Sequence, residues 1–170
     1  MSYAYIGCDN LKGPPVCGNS VVNMSHAYSG CGSLNGSPAC GPNVKNMSNA
    51  YASCYSLTGS PACGSQVTNM YYAYNSCSGL NGSPVCGNNV INMSHAYGYC
   101  SRLTGKPACG PKVTDMECAY WYCYNLGKNI TSNMTLANNN VTTMTYAYYQ
   151  CNNLGLSSNT IYYFIYSKNV

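Results

Sequence analysis

The sequence predicts a repeat solenoid of about seven 23-residue coils, each with a short strand and a short helix or 3₁₀ turn. Three observations predict it. Cys8, Cys31, Cys54, Cys77, Cys100 and Cys123 step by 23 residues, and a second series, Cys17, Cys40, Cys63, Cys86 and Cys109, keeps the same step. Met24, Met47, Met70, Met93 and Met116 share it, as do Leu11, Leu34, Leu57, Leu80, Leu103 and Leu126. The unit, V-x-x-M-x-x-A-Y-x-x-C-x-x-L-x-G-x-P-x-C-G, also holds its length, and equal units can stack with each column of side chains above the last.

Within one unit, Met47, Ala50, Tyr51 and Cys54 fall at i, i+3, i+4 and i+7. That spacing predicts one apolar face of about two helical turns, capped by Asn46 or Ser48. After Leu57 comes "TGSPACG", where Gly59 and Pro61 forbid a helix. Ala62 and Cys63 are then a short extended piece before Gly64 turns the chain. Residues 1–126 hold the regular repeats.

Residues 127–154 form an altered repeat with a five-residue insertion. From Leu126 to Val141 there are fifteen steps where other units have ten, and "GKNITSNMTLANNNV" lacks the G-x-P-x-C-G signature. The frame resumes with Met144, Ala147, Tyr148, Cys151 and Leu154. Insertions in stacked repeats map to loops on one face. Residues 155–170, with the run "TIYYFIY", read as a C-terminal aromatic strand or cap.

The constant apolar positions are the ones a core needs. Cys31, Cys54, Cys77, Cys100, Cys40, Cys63, Cys86, Cys109, Met47, Met70, Leu57, Leu80, Tyr51 and Tyr74 are therefore read as core columns, the cysteines packing as small apolar groups. Neighbouring cysteines in a stacked column lie within disulfide range. The odd count of 13 and the lack of an export signal argue for thiols, but thiol and disulfide both stay open. The repeated spacings of 9 and 14 do not suit a zinc site, and the one close pair, Cys118 and Cys123, has no histidine near it.

No cofactor, metal site or catalytic group is read from the chain. His26 and His95 share a slot that holds Asn49, Tyr72 and Cys118 in other units, which makes it a variable, solvent-facing position. Asp9, Asp115 and Glu117 are the acids, and they offer no paired carboxylates for acid–base work. Sequons such as Asn129-Ile130-Thr131 are explained by the abundance of Asn and Thr.

Seven Lys and Arg and three Asp and Glu stand against 19 tyrosines. The basic residues are scattered from Lys12 to Lys168, which excludes a nucleic-acid footprint. No apolar run approaches the roughly 20 residues of a membrane span, and "MSYAYIGC" opens without a signal-peptide pattern.

"NVKNMSNAYASCYSLTG", Asn43 to Gly59, resembles the BspA-like leucine-rich repeat of bacterial surface proteins, with its V-x-x-M/I-x-x-x/A-F-x-x-C-x-x-L unit. The resemblance runs to about Leu154. Tyr51 and Tyr74 stand where that family has phenylalanine, and G-x-P-x-C-G stands where it has its strand. The resemblance implies a leucine-rich-repeat-like solenoid used for adhesion or recognition on cell surfaces or in phage fibres, without catalysis.

The expected function is structural and adhesive. Trp121, Tyr122, Tyr124, Tyr162, Tyr163, Phe164 and Tyr166 are read as an interface, since aromatic groups with a polar tip suit surfaces both dry and wet. A chain that opens inside a unit, ends on aromatic residues and carries little charge favours copies of itself, joined head to tail as a fibre. The alternative is a monomeric module binding a cell-surface protein or glycan; a cysteine-rich metal or redox store is the third reading. The expected location is the extracellular surface or a phage virion, with the cytoplasm as the alternative.

Overall fold

The computed structural model describes residues 1–131 and 136–155. Among them there is no helix and no extended ladder. The segment expected to be helical is two tandem turns. Ala27 N–H donates to Met24 O (2.9 Å) and Cys31 N–H to Tyr28 O (3.1 Å), and the third residue of each turn is left-handed, His26 at φ 54° and Gly30 at φ 77°. In the following unit Asn49 and Ser53 repeat this at 54° and 62°. A left-handed third residue with a 4→1 hydrogen bond is a type II turn.

The N–H groups a helix would use internally point sideways instead. Met24, His26, Tyr28 and Gly30 donate to the carbonyls of Asn46, Ser48, Ala50 and Ala52 in the next unit, at 2.8–2.9 Å. Met47, Asn49, Tyr51 and Ser53 do the same to Asn69, Tyr71, Ala73 and Asn75. A left-handed non-glycine residue costs on the order of 1 kcal/mol, and here its N–H is held by the neighbouring unit. Asn46 does cap, as expected, but it caps a turn: its Oδ1 accepts from Ser48 N–H at 2.9 Å. Asn23, Asn69, Asn92 and Asp115 repeat the contact.

Two more turns complete a unit. Leu34 N–H returns to Cys31 O and Val44 N–H to Gly41 O. The expected strand at Ala62 and Cys63 carries no β-bridge; parallel bridges instead join Asn23, Asn46, Asn69, Asn92, Asp115 and Thr143 in series, just before each methionine column. Met1 stands on the methionine column, 23 residues before Met24, and Tyr3, Tyr5 and Gly7 donate to Ser25, Ala27 and Ser29 as in the units that follow.

The Val, Met, Ala, Tyr, Cys and Leu columns from Met24 to Leu154 form one continuous buried cluster. Tyr5, Tyr28, Tyr51, Tyr74, Tyr97, Tyr120 and Tyr148 run through it as a single stack, ring centroids 5.1–5.5 Å apart and planes within 11° of parallel. Such spacing suits offset-stacked rings. The buried phenols also tie down the G-x-P-x-C segment of the unit before. Tyr74 Oη donates to Ala62 O at 2.6 Å and accepts from Ala62 N–H at 3.1 Å. Tyr28, Tyr51, Tyr97 and Tyr120 do the same for Val16, Ala39, Val85 and Ala108. Phenylalanine could not satisfy those backbone groups.

The five extra residues of the altered unit lie between Leu126 and Leu136. Tyr148 Oη donates to Leu136 O, so Leu136 takes the place that Ala108 has in the unit before, and Val141 N–H bonds Asn138 O as Val113 bonds Gly110. Asn138 thus stands in the glycine column, with its Nδ2 on Gly110 O. The regular units need glycine there because backbones meet. A Cβ on Gly110 would lie 2.5 Å from Gly87 O and 3.1 Å from Cys86 Sγ, whereas one on Gly18 would meet only Val21, at 3.9 Å. Gly110→Ala is therefore expected to destabilise by about 1–3 kcal/mol and Gly18→Ala to be near neutral, compared by urea midpoints; equal midpoints would show that the units separate freely.

Candidate functional site

The two cysteine series part company in the structure. Cys31, Cys54, Cys77, Cys100, Cys123 and Cys151 are buried, and each thiol donates to the column tyrosine carbonyl of the preceding unit at 2.9–3.1 Å: Tyr5, Tyr28, Tyr51, Tyr74, Tyr97 and Tyr120. Cys40, Cys63, Cys86 and Cys109 are only half-buried at the edge of the core. Cys40 Sγ sits 3.5 Å from Met47 Sδ and accepts from Gly64 N–H at 3.2 Å. All thirteen are free thiols. Burial pushes Cys54 and Cys86 up to about 12 and Cys40 to about 11.

The thiolate is the reactive form, so these columns are expected to react more slowly in the folded chain than an exposed thiol. Alkylation of the native protein at neutral pH, read by mass spectrometry, is expected to mark exposed Cys8 first, then the half-buried series slowly. The buried series is expected to react only on unfolding; equal labelling of Cys77 and Cys8 would overturn this burial pattern.

Met47, Met70, Leu57, Leu80, Tyr51 and Tyr74 are fully buried. Among the described residues, no group of three or more His, Cys, Asp or Glu side chains is placed to hold a metal, and no helix is long and apolar enough to cross a membrane.

The left-handed corners carry the variable side chains. The first corner column holds Tyr3, His26, Asn49, Tyr72, His95 and Cys118, where Tyr3 stacks on His26 at 4.8 Å and Tyr72 on His95 at 4.3 Å. Cys118 departs from the expected solvent-facing slot, being 6% exposed. Burial lowers the His95 pKa against the pull of Glu117 and Asp115.

The columns on either side of the buried cysteine, one residue before and one after, build a groove. The first reads Ser53, Ser76, Tyr99, Tyr122; the second reads Tyr55, Ser78, Ser101, Tyr124. Tyr55, Tyr99, Tyr122 and Tyr124 wall a space of about 400 Å³ over Ser76, Ser78 and Ser101, spanning four consecutive units. Tyr99 and Tyr122 stack at 5.1 Å and 3°, and Tyr124 meets Tyr122 edge to face at 5.7 Å. Trp121 leans on both Tyr99 and Tyr122, at 5.1 and 5.2 Å, and among the described residues its Nε1 is a buried donor without a hydrogen-bond partner.

Of the residues expected at an interface, the structure brings Trp121, Tyr122 and Tyr124 into this one cluster. Tyr162, Tyr163, Phe164 and Tyr166 lie outside the described residues. Tyr55, Tyr99 and the three serines were not among the expected residues, although reading the chain down its 23-residue columns exposes a serine gap flanked by tyrosines. No protein-family model matches this chain, and no curated protein or solved structure matches it.

Proposed function

We propose that the chain is a non-enzymatic repeat solenoid with a structural and adhesive role, meeting its partner through the variable corner columns. The observation that carries this reading is the exposed tyrosine and serine groove, built from four successive units on a frame of buried, register-locked columns. The frame fixes the spacing of the corners, while the corners vary freely, as a recognition surface requires. Tyrosine supplies large contact area at low cost in conformational freedom. The scarcity of acids and the raised thiol pKa values favour binding over catalysis. The resemblance of Asn43–Gly59 to BspA-like repeats supports an extracellular surface or virion setting.

A second reading, assembly of copies into a fibre, draws on the uniform edge-to-edge hydrogen bonding of the units and on the low charge. Negative-stain microscopy across concentrations, together with binding of labelled protein to cells, separates the two. Dispersed particles that bind cells saturably are expected. Concentration-dependent filaments without cell binding would favour the fibre.

A further inference from the structure

We propose that the groove between Tyr55 and Tyr124 is a subsite for an uncharged saccharide, its pyranose rings resting on tyrosine faces and its hydroxyls bonding the serine floor; this rests on the recognition reading above. The lining is all phenol and hydroxyl, without a charged group. A sugar ring matches that chemistry, with an axial C–H face that packs on an aromatic ring and an equatorial rim of hydroxyls that both donate and accept. An anionic ligand would find no cation in the lining, and a greasy ligand would leave the hydroxyls unpaired.

The hydroxyls are ready for such a ligand. Ser76 Oγ donates to Asn75 Oδ1 at 3.0 Å, which leaves its lone pairs to accept. Among the described residues, the hydroxyls of Ser78, Ser101, Tyr55, Tyr99, Tyr122 and Tyr124 make no hydrogen bond to the chain. The volume of about 400 Å³ falls in the roughly 300–1,000 Å³ range of small-molecule sites. Its length follows the unit repeat: rings of the neighbouring tyrosine stack are 5.4 Å apart from Tyr51 to Tyr74 and 5.5 Å from Tyr74 to Tyr97, so the groove runs along successive units as a short oligosaccharide would.

The serine gap also provides the cleanest test. Ser101→Tyr writes into the column the residue its neighbour Tyr124 already has, filling the groove at a half-exposed position without touching the core. Tyr99→Asn removes one wall and keeps a residue that tolerates the left-handed φ of 60°. The full chain and both variants are applied to an array of uncharged and sialylated oligosaccharides, and the strongest uncharged hit is titrated by NMR. Saturable binding of uncharged sugars, weakened at least tenfold in both variants while their melting temperatures hold, is expected.

Sugar binding unaffected by Ser101→Tyr would place the site elsewhere and overturn the proposal. Sialylated sugars bound in preference to uncharged ones would overturn it as well. No sugar bound by a chain that still binds cells would overturn the saccharide subsite and leave the recognition reading standing. Loss of cell binding as well would overturn both.

Discussion

Truncating Tyr97 to alanine is expected to destabilise the chain by about 3–5 kcal/mol, and Tyr97→Phe by about 1–3 kcal/mol. The two variants divide one side chain into its parts. The ring, fully buried, lies between Tyr74 and Tyr120 at 5.5 and 5.4 Å, so alanine removes two stacking faces and opens a cavity. The phenol donates to Val85 O at 2.6 Å and accepts from Val85 N–H at 3.3 Å, so phenylalanine keeps the packing and strands two backbone groups. An unsatisfied buried acceptor loses its water without replacement, which is the source of the cost. Tyr5 heads the same stack but is itself 41% exposed, and Tyr5→Phe is expected to change stability by less than about 0.5 kcal/mol. Urea unfolding followed by tyrosine fluorescence gives all three values. A Tyr97→Phe midpoint equal to that of the parent would show that the hydroxyl is dispensable and that stacking alone holds the column.

The second large effect is alkaline unfolding. Burial pushes the thiols of Cys54 and Cys86 from 9.0 up to about 12, and it raises Cys77, Cys100 and Cys123 well above 9.0. The phenols of Tyr74, Tyr97, Tyr120 and Tyr148 stand well above 10.0 for the same reason. The unfolded chain releases these protons near pH 9 and 10 while the folded chain keeps them. Protons bound to the native state then exceed those bound to the unfolded state, so stability falls as pH rises. It is full below about pH 9, and each such group then removes about 1.4 kcal/mol per pH unit until its native pKa is reached. Several groups acting together should unfold the chain cooperatively between about pH 9 and 11. Thermal melts in reductant from pH 6 to 11 are expected to be flat to pH 8 and to collapse above 9. A smooth tyrosinate titration with the fold intact would refute the burial of these columns.

The groove was partly legible in advance. Trp121, Tyr122 and Tyr124 announce themselves as a local cluster of aromatic residues, "YWYCY". Tyr55 and Ser78 are far from it in sequence and join it only because the 23-residue steps bring the same column together. Once the period is known, that column can be read directly from the letters.

The sequence by itself determined the period, the buried Met, Ala, Tyr, Leu and first cysteine columns and the place where the period breaks, but it did not separate the half-buried Cys40, Cys63, Cys86 and Cys109 from the buried cysteines. All three follow from the recurrence of Met, Ala, Tyr, Cys and Leu at fixed steps, and burial acts on those residue types whatever backbone carries them. Only the tertiary structure decided between helix and turns. Apolar residues at i, i+3, i+4 and i+7 lie on one face of a helix, and they equally mark the first and fourth residues of tandem four-residue turns such as Met24–Ala27 and Tyr28–Cys31. Local propensity does not separate the two. The choice goes to turns because the N–H groups of Met24, His26, Tyr28 and Gly30 find carbonyls in the next unit, a partner that no single 23-residue segment contains.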